Sequence, residues 1–145
     1  MLQCKKRRRE GKDPRAFSGK VDHLMTRILI VDDETFLLQG LGQALKSSAT
    51  AVKTVETGSA ALREITSASY HLCFLDICLP DIDGIEVLKK ITELSPRTRV
   101  VMMTGGGVTS RMQECIERNA YMFLTKPFDL LQVKMLARRI MDGAI

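Results

Sequence analysis

The sequence predicts one α/β domain, a parallel five-stranded sheet with helices on both faces. Short apolar, β-branched runs alternate five times with stretches whose apolar residues recur at helical spacing. The run Leu72 to Leu75 shows no polar alternation, as expected of a parallel strand covered on both sides. With 145 residues, 45% hydrophobic and 27% charged, the chain has the size and composition of a single globular domain with a substantial core.

Residues 1–25 are polar, without apolar periodicity, and are expected to be a disordered basic tail that cannot bury enough surface to order itself. Met25 stands directly before the first strand and is an alternative natural start, which would make residues 1–24 an over-annotation. The domain is expected over residues 26–145. Its first strand is 27–31, ending at Asp32-Asp33, and Leu38, Leu41 and Leu45 mark the helix that follows. Residues 51–55 alternate apolar and polar, which suggests a strand nearer the sheet edge, and Ala61, Leu62 and Ile65 form the next helical stripe. Residues 72–75 run into Asp76. Pro80 and Gly84 punctuate the loop, and Ile85, Leu88 and Ile91 face inward from the third helix.

The fourth strand, 99–103, leads to Thr104 and three consecutive glycines, which predict a mobile loop. A helix with Val108, Met112, Cys115 and Ile116 on one face follows. Residues 121–124 close the set of strands before Lys126-Pro127, and Leu130, Val133, Leu136 and Ile140 line the last helix.

The net charge of +5 belongs to the tail. Residues 1–25 hold eight Lys/Arg against three Asp/Glu, and residues 26–145 hold fourteen of each. No apolar run reaches the ~18 residues of a membrane span, and no apolar segment follows Lys5–Arg9 to make a signal peptide. Four cysteines without metal-type spacing read as buried free thiols of a reducing cytoplasm.

Functional groups of such sheets gather where the strands end. Here Asp32 and Asp33 end the first strand, Asp76 the third, Thr104 the fourth and Lys126 the fifth. In the flavodoxin-like (βα)5 three-layer sandwich, with strand order 2-1-3-4-5, the first and third strands are neighbours, so three carboxylates face one crevice. Singly, each has a plain explanation: Asp33 as a helix cap, Thr104 as a loop residue, Lys126 as a solvated charge. Together the plain explanations weaken, because the close carboxylates repel by ~4 kcal/mol per pair at an effective dielectric near 20, which calls for compensation. Mg2+ suits carboxylates and bridges to phosphate oxygens. An Asp carboxylate is a competent nucleophile toward phosphorus, and phosphoryl transfer asks mainly for in-line positioning and charge neutralisation.

The segments ILIVDDE (28–34), FLDICLPDIDGIEVL (74–88), MTG (103–105) and FLTKPF (123–128), in this order and spacing, resemble bacterial two-component response-regulator receiver domains of the CheY-like kind. The resemblance spans residues 26–143. It implies that Asp76 accepts a phosphoryl group, as 4-aspartylphosphate, from a sensor histidine kinase or phosphotransfer protein. It also implies that Asp33 and Asp76 ligate Mg2+ directly, Asp32 mostly through water, and Cys78 through its backbone carbonyl. Lys126 pairs with the carboxylate and then with the phosphoryl group, positioned by a cis peptide before Pro127.

Thr104 and Phe123 are implied as the switch pair. The implied downstream effector binds the fourth helix, fifth strand and fifth helix, where Met112, Met122 and Phe123 lie. The molecule is implied to be a cytoplasmic monomer or phosphorylation-dependent dimer that catalyses only its own phosphorylation and dephosphorylation. Asn119 stands where the family usually has glycine, tolerable because Asn accepts left-handed backbone angles.

Two other functional classes fit the sequence less well. A haloacid-dehalogenase-type phosphatase needs a second Asp two residues after its nucleophile, and that position is Cys78. Direct nucleic-acid binding through the basic tail lacks a recognition helix and is not expected.

Overall fold

Side chains alternate across a strand, and each strand here has apolar residues at both phases. The computed structural model describes residues 25–143. The expectations for the tail, residues 1–24, lie outside the described residues. The strands are β1 (Thr26–Val31), β2 (Thr50–Val55), β3 (Leu72–Asp76), β4 (Arg99–Thr104) and β5 (Met122–Thr125). They alternate with α1 (Thr35–Leu45), α2 (Gly58–Ser67), α3 (Gly84–Leu94), α4 (Ser110–Asn119) and α5 (Leu130–Met141). The four pairings between these strands are parallel and the order is β2-β1-β3-β4-β5, the predicted flavodoxin-like topology.

The two phases build two cores. Ile28, Ile30, Leu72, Phe74, Val101, Met103, Met122 and Leu124 meet Leu38, Leu41 and Leu45 of α1 and Val133, Leu136 and Ile140 of α5. On the opposite face Leu29, Val31, Cys73, Leu75, Val100 and Met102 meet α2, α3 and α4 through Ala61, Ile65, Leu88, Ile91 and Ile116. β2 is one of the two edge strands, as its alternation predicted, and its Lys53 and Thr54 are exposed.

Four helices start on a side-chain cap. Thr57, Asp83, Thr109 and Asp129 each accept a backbone N–H from the first turn that follows. The cap position of α1 is Glu34, whose side chain makes no such bond; Asp33 does not occupy it.

Several details correct the sequence reading. β5 begins one residue later than expected, because Tyr121 precedes the ladder and lies under the Arg99 guanidinium. Met122 is buried against α1 and α5 and offers no readout surface. Leu130 begins α5 but is 39% exposed, while Phe128 packs on the core in its stead. Asn119 is the last residue of α4, and among the described residues no non-glycine has positive φ, so its tolerance of left-handed angles is not used. Its amide instead donates to the Cys115 carbonyl.

The described thiols also divide: Cys73 is buried, Cys115 intermediate and Cys78 exposed. Burial pushes the Cys73 thiol far above its ordinary range, which removes the reactive thiolate. Among these three thiols, brief alkylation of the native protein followed by peptide mapping is therefore expected to label Cys78 first, Cys115 more slowly, and Cys73 only after denaturation. Early labelling of Cys73 would contradict this packing.

Candidate functional site at the carboxyl edge of the sheet

Strand register assembles the site. Val31 pairs with Leu75, so the residues that follow them, Asp32 and Asp76, stand side by side at the ends of β1 and β3. Asp76 pairs with Met103, which puts Thr104 one step beyond, and Thr104 pairs with Thr125, the residue before Lys126. The Lys126 N–H donates to the Thr104 carbonyl at 2.7 Å, fixing the lysine backbone beside β4. The Lys126-Pro127 peptide is cis.

From β5 the lysine stem reaches across the strand ends to β1. Its ammonium donates to Asp32 Oδ2 at 2.7 Å and to Glu34 Oε1 at 2.9 Å, and lies 3.5 Å from Asp76 Oδ2. Asp32 is fully buried, and its second oxygen accepts the Glu34 N–H at 2.8 Å. Asp76 is also buried, and its Oδ1 accepts the Cys78 N–H at 3.3 Å. Asp33 is exposed. Oxygens of Asp32, Asp33 and Asp76 all lie within 4.8 Å of one another, an oxygen-rich cluster suited to a hard divalent cation.

The electrostatics follow from burial and proximity. Desolvation, and then the charge of Asp32, push the Asp76 carboxyl above its ordinary range, while Lys126 and the Cys78 N–H pull it back. Burial pulls the Lys126 ammonium down. The hydrogen bonds to Asp32 and Glu34 and the charges of Asp32 and Asp76 outweigh that, so it is held above its usual value and stays charged.

Thr104 is buried, and its hydroxyl oxygen accepts the Gly106 N–H at 3.1 Å. Gly106 and Gly107 have φ of +117° and +70°, and a Cβ at either would meet open space, so backbone conformation is what requires glycine there. Phe123 is half-buried and packs on the same core face as Val108, Met112 and Cys115. It therefore lies on the α4 side of β5.

Two contributors were missed. Glu34 sits in the Asp-Asp-Glu run but received no role, although a third acid beside the pair was the available signal. Asp81 accepts from Gly58 N at 2.8 Å, Ser59 N at 2.9 Å and Ser59 Oγ at 2.7 Å, tying the loop after Asp76 to the start of α2. The Ser59 hydroxyl, then the Ser59 and Gly58 amides, hold its carboxyl well below the usual range.

With this geometry in place, comparison with known proteins is decisive. Residues 28–138 match the family described as response regulator receiver domain. The chain belongs to that family. It is similar to the transcriptional regulatory protein CutR of Streptomyces coelicolor, 38% identical over 117 residues, covering 78% of this chain and 54% of that protein. It is likewise similar to the chemotaxis protein CheY of Bacillus subtilis, 34% identical over 103 residues, 70% of this chain and 86% of CheY.

Among solved structures, a CheY-like receiver domain protein from Methanospirillum hungatei superposes with a TM-score of 0.77. It is 28% identical, with 82% of this chain and 95% of that one covered. The BeF3-activated DrrB receiver domain superposes with a TM-score of 0.73 at 29% identity, covering 81% of this chain and 98% of that one. The receiver chain spans about half the length of the transcriptional regulators it matches. Among the described residues no helix is long and apolar enough to cross a membrane.

Proposed function

We propose that this receiver domain takes a phosphoryl group on Asp76 from a phosphohistidine of a sensor kinase or phosphotransfer protein and relays the change to a downstream partner. The observation that carries this reading is the convergence of Asp32, Asp33, Asp76 and the Lys126 ammonium at one strand edge. An Asp76 oxygen attacks phosphorus, the P–N bond breaks, and the imidazole leaves with the bonding pair and takes up a proton.

Mg2+, when bound, neutralises the phosphoryl oxygens. Asp33, Asp76 and the Cys78 carbonyl are the proposed direct ligands. Asp32 already accepts from Lys126 and from the Glu34 N–H, which suits a role through water. Lys126, 3.5 Å from Asp76, pairs with the carboxylate and then with the phosphoryl group.

Transfer of the Thr104 hydroxyl to a phosphoryl oxygen removes its bond to Gly106 and frees the loop that leads into α4. Phe123 then repacks on the α4 side, so the readout is assigned to α4, β5 and α5, with Met112 and Phe123 as its apolar part. The chemistry acts on the protein itself rather than turning over a metabolite.

The test is intact mass after incubation with Mg2+ and phosphoramidate. Wild type is expected to gain one phosphoryl group and Asp76→Asn none. No adduct on wild type, or an equal adduct on the variant, would refute the assignment.

A further inference from the structure

We propose that Glu34 is a positioning residue that restrains Lys126, so that phosphorylation of Asp76 must draw the lysine away from it. This rests on the reading of Asp76 as phosphoryl acceptor. An ammonium has three donors, and those of Lys126 are directed unequally. Asp32 and Glu34 receive hydrogen bonds of 2.7 and 2.9 Å, while Asp76, the reacting group, lies farther from the ammonium at 3.5 Å. The lysine therefore rests turned toward the β1 side of the crevice.

Glu34 is placed for this by its own backbone. Its N–H is held by Asp32 Oδ1, and it occupies the cap position of α1 in extended conformation. The caps of the other four helices spend their side chains on the helix amides. Glu34 leaves the α1 amides and gives its carboxylate to Lys126 across 92 positions of sequence. Its side chain is 62% exposed against 16% for the lysine, so the pair is partly solvated and can be displaced. An acyl phosphate carries more charge than the carboxylate it replaces and outcompetes Glu34 for the ammonium. The restraint thus opposes phosphorylation without blocking it.

The test compares wild type, Glu34→Gln and Glu34→Asp in the full chain. Three quantities are measured: the initial rate of phosphorylation by phosphoramidate, the affinity for beryllium trifluoride in excess Mg2+, and the affinity for Mg2+ alone. Glu34→Gln is expected to be phosphorylated about three- to fivefold faster, as fits loss of a partly exposed ion pair. It is expected to bind beryllium trifluoride more tightly by a similar factor, with Mg2+ affinity unchanged.

Glu34→Asp keeps the charge but is one methylene short of the lysine, and Asp is a preferred cap. It is expected to behave like Glu34→Gln. Three outcomes overturn the inference: an unchanged rate in Glu34→Gln, a change in its Mg2+ affinity that accounts for the rate, or a Glu34→Asp protein indistinguishable from wild type. In each of these the wild type still takes the phosphoryl group, whereas a wild type that takes none fails the underlying reading instead.

Discussion

Gly84→Ala is expected to cost about 3 kcal/mol or more of stability, a fall in Tm on the order of 10 °C. Gly84 is buried at the first position of α3, and its N–H donates to the Ile77 carbonyl at 2.9 Å. A Cβ added there would stand 2.5 Å from Ile77 O and 2.6 Å from Ile77 Cα, and closer still to the Asp76 carbonyl oxygen. All three are backbone atoms, so no rotamer change relieves the conflict. The start of α3 must move away from the end of β3, disturbing the Asp83 cap on Ile85 N–H and the backbone of the phosphoryl acceptor. Phosphorylation of the folded variant is therefore expected to slow as well.

Gly42→Ala is the matching control. Its Cβ would make an ordinary 3.6 Å contact with Thr54 Cγ2 inside α1, so helix propensity dominates and a gain of about 0.5–1 kcal/mol is expected. Thermal melts of the two variants check both signs. A Gly84→Ala protein as stable as wild type would mean that the close approach of α3 to β3 is not as described.

The fold was legible because it rests on periodicity. Leu38, Leu41 and Leu45, or Leu72 to Leu75, carry their environment in their spacing, and parallel order follows from strand–helix alternation. Errors arose where two environments share one pattern. Met122 and Phe123 are adjacent in β5 and equally apolar, yet register sends one into the α1–α5 core and the other toward α4. Leu130 continues the α5 stripe in sequence, but its side chain lies at the surface beside Gly40 of α1, and Phe128 packs on the core.

The strand-end rule was enough to gather Asp32, Asp76, Thr104 and Lys126 at one edge. It says nothing of where a long side chain turns once it leaves the strand. That is why Glu34 was passed over: its partner is chosen by the reach of Lys126 across the intervening strand ends, a property of no local segment. Asp81 was missed for a similar reason, since its partners Gly58 and Ser59 belong to a helix earlier in the chain.

Asp76→Asn, besides abolishing phosphorylation, is expected to raise stability by about 1–2 kcal/mol at neutral pH without divalent cation, a Tm increase of roughly 4–8 °C. Desolvation and the neighbouring Asp32 charge disfavour the Asp76 carboxylate in the folded state, and Lys126, already committed to Asp32 and Glu34, compensates only in part. The sign follows from linkage. A carboxyl whose folded-state pKa lies above its unfolded value of about 3.9 contributes full stability below that value, and the contribution is lost as pH rises through the folded-state pKa.

The advantage of Asn should therefore vanish below the unfolded-state value of about 3.9 and grow as pH rises through the folded-state pKa. Mg2+ is expected to reverse the comparison. Binding to the folded state stabilises by about 2.7 kcal/mol at a hundredfold excess over Kd, and wild type keeps the carboxylate that the variant lacks. Melts at several pH values, with and without Mg2+, test both parts. A variant less stable than wild type at pH 7 in chelator would show that Lys126 outweighs burial and the Asp32 charge at Asp76.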